Sequence, residues 1–373
     1  MLMDQLLREC PPGFGGVERV AHVLAEERAG VVFSLRPPSS SVPEALPVGY
    51  RRCHLPSVAI GRLLVPLPSV GLIALLFGMR PLLVHLPCPT VLIVALLARL
   101  LHPARSVHIY WHAFLEPRPG LLGRFEAVYQ TLALRWIRPF PVITTSPQLV
   151  QALVQQGLMS SRVSCLPCSL PLNLEQGCKA VWLERRRAVD QSDAPRGVLI
   201  AIGRLDSYKR IDWLLEAMAV APAILDLHVV GDGPHRSRWQ TLAAKIALPH
   251  QRVHFHGRID ERRKLELMTQ SDVLVLASDR SNEAFGIVQL EAMAAGIPSL
   301  ALQRSRSGMH WVSALSALPW QGDRQQLGPI LQRLLSDPAL YRQACRAART
   351  RYDQVFSLPV WRQQLALVLP GNA

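Results

Sequence analysis

The chain has 373 residues, 49% of them hydrophobic, and a formal net charge of +14, so it can build two domains and is not a largely disordered polymer. Its cations are nearly all arginine, with lysine only at 179, 209, 245 and 264, and they are not interleaved with aromatic residues as in a nucleic-acid surface. The charge suits anionic lipid or phosphorylated substrates, or simply reflects an arginine-rich composition, and seven scattered cysteines fit a reducing compartment better than a disulfide framework.

Met1 to Cys10 carries Asp4, Arg8 and Glu9, which argues against a secretory signal and makes a poor first strand. Pro11-Pro-Gly-Phe-Gly-Gly16 is a turn-rich loop, and Val17 to Glu27 reads as a helix with Val20, Val23 and Leu24 on one face. Gly13-x-Gly15 meets Glu18 where a dinucleotide fingerprint needs its third glycine, so that fingerprint fails. Val31 to Leu35 predicts a strand, and Arg36 to Pro47 a loop. Leu63 to Leu101 is apolar except at Arg80, His85 and Arg99. A membrane span and a globular core both fit this run, but Pro66, Pro68 and Gly71 favour the core: a helix, a strand at Pro81 to His85, then a helix from Val91 to Leu101. Ser106 to His112 reads as a strand with His108, Tyr110 and His112 on one face. His112 ends it, where open α/β sheets bind ligands, and reads as a ligand contact or as a core histidine; His85 and His108 read as structural. Strands follow at Phe140 to Ser146 and Val163 to Pro167. Cys165-Leu-Pro-Cys168 lacks a second pair and reads as structural, and the polar run from Lys179 to Arg196 sets a domain boundary near 170–195.

The second half opens with an apolar strand ending at Gly203, then Arg204 and Lys209 five residues apart, a spacing that can put two fixed positive charges on one diphosphate or leave two solvated loop cations. Leu225 to Pro234 is strand then turn, Arg236 to Ala247 a helix, Arg252 to Gly257 a strand, and Asp260 to Thr269 a helix. This alternation predicts a parallel sheet. Asp272 to Ser278 is a buried strand. Phe285 to Ala295 reads as one helix, stopped by Gly296 and Pro298, with Glu283 before its first turn and Glu291 inside. Eight residues rise about 12 Å and rotate about 80°, so the two carboxylates could share a side with the free N–H groups of the helix start between them. That pattern fits a ligand with hydroxyls at both ends and phosphate in the middle, such as a nucleotide-sugar. The plainer readings are a helix-start acid for Glu283 and a buried acid paired with an arginine for Glu291. Helices at Asp337 to Arg349 and Ser357 to Leu369 close the chain.

Glu-x7-Glu with Phe285-Gly286 after the first Glu resembles the signature of glycosyltransferase family 4 (glycosyl transferases group 1), retaining enzymes of the GT-B fold. Gly15-Gly16-Val17-Glu18-Arg19, Gly203-Arg204-x4-Lys209, Gly231-x-Gly-Pro234 and Ser307-Gly-Met-His-Trp-Val312 are similar to further motifs of that family. The resemblance implies an α/β GT-B fold, two Rossmann-like domains facing each other across a cleft. It assigns residues 1–175 to an acceptor-binding domain, on which the helix 357–369 packs back, and 190–356 to a donor-binding domain. Glu283 and His112 become the expected catalytic residues, both contacting the donor sugar. Arg204, Lys209, Gly16, Phe285 and Gly286 would hold the diphosphate, and Glu291 the ribose. Trp111-His112-Ala113-Phe114 resembles the Trp-His-Ser-Asp of polysaccharide mannosyltransferases, with two polar residues replaced. Ser313 to Trp320 is shorter than the family pattern.

The expected activity is retaining transfer of a hexosyl group from a nucleotide-diphospho-sugar to an acceptor hydroxyl, with same-face attack assisted by the leaving phosphate. GDP-mannose is the first choice of donor, ahead of UDP-glucose and UDP-N-acetylglucosamine, and the acceptor is a glycan or a lipid-linked sugar. The chain has no Asp-x-Asp, so neither a metal nor another cofactor is expected. An anionic membrane surface is an expected partner and nucleic acid is not, with a cytoplasmic location at the inner face of the plasma membrane. The competing classes are a non-catalytic nucleotide-sugar binder and a membrane-embedded structural protein.

Overall fold

The computed structural model describes residues 2–13, 15–37, 48–61, 63–116, 120–191, 194–313 and 320–370. Phe14, most of the loop expected after Arg36, Ser192 and Asp193, and 314–319 in the shortened stretch lie outside them. The chain divides into two units, Met1–Pro171 with Trp361–Ala373, and Leu172–Val360.

The first unit runs β1 (Asp4–Leu7), α1 (Gly16–Glu27), β2 (Val31–Ser34), β3 (Arg51–His54), a hairpin of β4 (Ser57–Ile60) and β5 (Leu63–Pro66), α2 (Val70–Leu76), β6 (Leu82–Leu86), α3 (Pro89–Leu101), β7 (Val107–Trp111), α4 (Leu121–Trp136), β8 (Val142–Thr144), α5 (Pro147–Gln155) and β9 (Val163–Cys165). Seven strands form a parallel sheet in the order β3-β2-β1-β6-β7-β8-β9. The stretch read as a poor first strand is an interior strand of the sheet, between β2 and β6. Its polar residues are compensated from far along the chain: Asp4 accepts from Val31 N at 3.0 Å and pairs with the buried Arg105 at 3.3 Å, while Gln5 bonds Ala21 O and His85. A second difference lies at Leu63–Pro66, expected to be helical. It pairs antiparallel with Ser57–Ile60, and the helix starts only after Pro66 and Pro68, where Ser69 Oγ caps Leu72 N at 3.2 Å. Among the described residues, no helix is long and apolar enough to cross a membrane.

The second unit opens with α6 (Leu172–Asp190), so the charged run expected at the boundary is largely helical. It continues with β10 (Val198–Ile202), α7 (Ile211–Val220), β11 (Asp226–Val230), α8 (Arg236–Ile246), β12 (Arg252–Gly257), α9 (Glu261–Gln270), β13 (Val273–Leu276), α10 (Val288–Ala294), β14 (Ser299–Ala301), α11 (Met309–Ser313), α12 (Leu327–Ser336) and α13 (Pro338–Arg351). Its sheet is parallel, in the order β12-β11-β10-β13-β14. Right-handed crossovers then put α7 and α8 on one face and α9 and α10 on the other, which explains strands that are apolar on both faces. Leu199, Leu227, Val273, Leu215 and Trp239 are buried in the core on the α7–α8 side. On the α6 side, Arg185 donates to Thr269 O at 2.9 Å and to Tyr341 Oη at 3.0 Å, and Tyr341 donates to Asp272 Oδ1 at 3.0 Å. Finally α14 (Leu358–Val368) carries the chain back to the first unit, where Trp361 Nε1 donates to Pro167 O at 2.8 Å and Arg362 pairs with Glu27 at 2.6 Å.

Candidate functional site

In each sheet the strand order reverses direction beside the first strand, between β1 and β6 in the first unit and between β10 and β13 in the second. The carboxyl ends of the strands at such a switch point diverge into loops, and open α/β sheets bind their ligands there.

In the second unit those loops carry both sequence motifs. Gly203 follows β10 with φ +151, and a Cβ on Gly231 would lie 1.9 Å from Gly203 O, so the loops after β10 and β11 approach with no room for side chains. Asp206 accepts from Ser207 N at 3.0 Å and turns the chain to Lys209. Arg204 stays exposed, 3.9 Å from Asp206. Lys209 is nearly buried and its Nζ is paired with Glu283 Oε2, 74 residues away. Burial works against the Lys209 ammonium, but Glu283, followed by Tyr208, outweighs it and holds the pKa above the ordinary lysine value. The two loops are also joined by backbone, since Asp279 N donates to Tyr208 O at 3.0 Å. Ser307 Oγ donates to Glu283 O at 2.7 Å, and Gly308 N to Ala284 O at 2.7 Å, so the Ser307–Val312 motif braces the loop that presents Glu283.

The helix expected from Phe285 begins later, at Val288, because Gly286 adopts φ +72 and turns the chain. A Cβ there would meet Leu276 Cδ2 at 2.4 Å. Glu283 therefore stands on a loop rather than at the helix start, five residues before the seven-residue α10 begins. Phe285, expected at the diphosphate, turns its ring edge-to-face onto Trp311 and Phe356, leaving only its backbone for a ligand. Glu291 is wholly buried, with Lys264 Nζ of α9 at 2.6 Å, and Lys264 also meets Glu261 at 2.7 Å. The geometry is thus a buried acid with a cationic partner, lysine rather than arginine. The two carboxylates have different partners, Lys209 for Glu283 and Lys264 for Glu291.

In the first unit, Gly16 opens α1, whose N-cap is Gly15. Burial raises the pKa of Glu18, while hydrogen bonds from its own backbone N–H and from that of Gly15 work the other way. Its carboxylate therefore already occupies part of the helix start to which phosphate was assigned. His112 ends up against His85, with Nε2 and Nδ1 2.8 Å apart, and His85 Nε2 reaches Gln5 Oε1 at 2.8 Å. His112 stacks on Tyr110 at 4.4 Å, and Tyr110 Oη donates to Leu166 O at 2.8 Å. Burial lowers the His85 pKa to about 3, and burial followed by the neighbouring His85 lowers that of His112. His85, read as structural, therefore touches the candidate site residue itself. Gln5 and Tyr208 carry no motif in the sequence that marks them. The rarity of lysine was the one available signal for Lys264, as it was for Lys209. Among the described residues, no group of three or more His, Cys, Asp or Glu side chains could hold a metal ion.

Residues 184–351 match the family described as glycosyl transferases group 1. An uncharacterized glycosyltransferase of Methanocaldococcus jannaschii is 35% identical over 125 residues, 31% of this chain and 30% of that protein. The GDP-mannose-dependent monoacylated alpha-(1-6)-phosphatidylinositol monomannoside mannosyltransferase of Corynebacterium glutamicum is 28% identical over 184 residues, 47% of each chain. The chain thus spans less than half the length of these curated relatives. The crystal structure of Anabaena HepE in complex with UDP and glucose superposes with a TM-score of 0.76 at 19% identity, covering 100% of both chains, which shows the GT-B fold. Residues 184–351 are a glycosyl transferases group 1 domain, and the chain has the GT-B fold.

Proposed function

We propose that the chain transfers a hexosyl group from a nucleotide-diphospho-sugar to an acceptor hydroxyl, with retention. The observation that carries this reading is the meeting of Lys209 and Glu283 at the switch point of the second unit. A fixed cation there suits a diphosphate, with Arg204 as an exposed second cation, and a carboxylate beside it suits a sugar carbon that becomes positive as the bond to phosphate breaks. On this reading the diphosphate takes over part of the Lys209 charge from Glu283, and no resident metal or cofactor is required. Phe285 and Gly286 contribute backbone only. For Glu291 the assignment remains the ribose, which requires the ligand to open the Lys264 pair and uncover a buried side chain. In the first unit, Gly16 is assigned to an anionic ligand group and His112 to a hydroxyl.

GDP-mannose remains our first donor, supported by the similarity to the Corynebacterium mannosyltransferase; the UDP and glucose held by Anabaena HepE support UDP-glucose as a second reading. Thermal stabilisation by GDP, UDP and ADP sugars, followed by nucleotide release in the presence of a lipid-linked sugar, tests both. Stabilisation by GDP-mannose with release of GDP is expected. Stabilisation without release would leave a non-catalytic binder, and neither effect with any donor would end the reading.

We also propose that the acceptor is lipid-linked and that the first unit lies on the anionic inner face of the plasma membrane. No acidic residue occurs between Glu44 and Glu116, whereas six arginines do. The packed elements β5, α2, α3 and α4 expose Val65, Val70, Ile73, Leu100, Leu121 and Phe125, with Arg80, Arg124 and Arg135 exposed among them. Exposed apolar residues together with exposed cations are the composition of an interfacial membrane contact. Sedimentation with anionic vesicles at low salt should exceed that with neutral vesicles and fall in Ile73→Asp/Phe125→Asp; equal sedimentation in all cases would contradict it.

A further inference from the structure

We infer that Gln5 and His85 are positioning residues that lock His112 in its Nε2–H form and leave its Nδ1 as a hydrogen-bond acceptor. Ala21 lies on α1. Its carbonyl can only accept, and Gln5 Nε2 lies 3.1 Å away, so the orientation of the Gln5 amide is fixed by a partner with no second option. The Gln5 oxygen then faces His85 Nε2 at 2.8 Å, and an amide oxygen can only accept, so His85 carries its proton on Nε2. His85 is buried and neutral, as burial holds its pKa near 3. A neutral imidazole with Nε2–H has a bare Nδ1. That nitrogen lies 2.8 Å from His112 Nε2, which must therefore be the donor. His112 is held neutral too, so its Nδ1 has no proton.

The sheet supplies the alignment. His85 on β6 stands directly opposite Tyr110 on β7, and His112 follows Tyr110 by two residues on the same face. The rings of His85, Tyr110 and His112 stack within 14° of parallel, and Tyr110 is anchored at Leu166 O; the stack holds the plane of the His112 ring, and the hydrogen bond to His85 selects which edge faces it, because a half-turn would put carbon there instead of Nε2. Among the described residues no group bonds to Nδ1. A bare imidazole nitrogen attracts a hydroxyl and repels a phosphate or carboxylate oxygen. The ligand group that His112 recognises is therefore a hydroxyl hydrogen. This last step rests on the proposed role of His112 toward a sugar, whereas the tautomer does not.

Long-range 1H–15N correlation spectra of protein labelled with 15N-histidine read the tautomer directly, with the His112 signals identified by their loss in His112→Gln. The wild type should show Nε2 as the N–H nitrogen and Nδ1 as the bare one in both His85 and His112; an N–H signal at Nδ1 of His112 would overturn the proposal whatever the protein's activity. In Gln5→Leu, which removes the acceptor, the two His112 nitrogens should move toward averaged shifts. Transfer should slow about tenfold at unchanged nucleotide affinity, the scale of one hydrogen bond lost at the sugar alone. A folded Gln5→Leu protein with a wild-type His112 spectrum would remove Gln5 from the relay. Adding nucleotide-sugar should shift Nδ1 in the wild type; no movement would take His112 away from the sugar while leaving the tautomer in place.

Discussion

Lys209→Ala should damage stability and diphosphate binding through the same lost charge. Lys209 and Glu283 expose 11% and 19% of their side chains, so their ion pair lies between a surface pair and a fully buried one. Surface pairs contribute up to about 1 kcal/mol and broken buried pairs cost about 3–5, which puts the stability loss at about 1–3 kcal/mol. A charge-assisted bond to phosphate is worth about 1.5–3 kcal/mol, equivalent to a loss of about tenfold to a hundredfold in affinity for a nucleoside diphosphate. The Glu283 carboxylate, no longer neutralised, adds repulsion in the same direction. The nucleoside makes no such bond and should bind as before. Isothermal titration with GDP, UDP and the parent nucleosides, beside urea unfolding, separates the two effects. Adding Glu283→Gln to Lys209→Ala should recover stability by removing the stranded charge, and should recover diphosphate affinity only in part. Superimposable diphosphate titrations for wild type and Lys209→Ala would refute the placement of the phosphates here.

Three other outcomes follow from the same geometry. Glu291→Ala takes one carboxylate from the buried Lys264 and should cost about 3–5 kcal/mol in urea unfolding, before any effect on ligand; an unchanged midpoint would mean that the pair is not formed. The His85 pKa is lowered to about 3, so between the ordinary value of 6.5 and about 3 the unfolded chain binds more protons than the folded one. Stability should therefore be fully present above 6.5 and fall as pH drops below it, by about 1.4 kcal/mol per unit for His85 alone, and His85→Gln should flatten that slope. Gly286→Ala forces φ +72 on a residue with a Cβ and drives that Cβ into Leu276, so it should destabilise by about 1–3 kcal/mol and disturb Glu283 with it; a variant with normal unfolding and transfer rates would contradict the turn.

Local pattern carried much of the fold. From Gly197 onward, apolar strands and periodic helices alternate with glycine turns, so a parallel sheet could be read from short windows. The parts that were not legible depend on distant partners. Asp4 and Gln5 disqualify a strand only until Arg105 and His85 are known to meet them. The hairpin at Leu63–Pro66 is apolar on both faces and so has no period to distinguish it from a helix. Within the site, the motifs brought Lys209 and Glu283 to notice separately, and their contact across 74 residues could come only from the register of β10 and β13. Gly286 was legible as a motif residue but not as a turn, since glycine occurs in both settings. Its positive φ is what shortens the helix and takes Glu283 off it.

On the proposed function, Glu283 acts on the transferred sugar at a diphosphate site built around Lys209. Single-turnover transfer from GDP-mannose and UDP-glucose to a lipid-linked acceptor, run on wild type and Glu283→Gln beside titration with the matching nucleoside diphosphate, tests it most directly. The wild type should release the diphosphate and form product of retained configuration. Glu283→Gln should bind the diphosphate at least as tightly, because Lys209 is freed, yet transfer at least about a hundredfold more slowly. A Glu283→Gln protein that transfers at the wild-type rate, or that loses the diphosphate while remaining folded, would contradict the account.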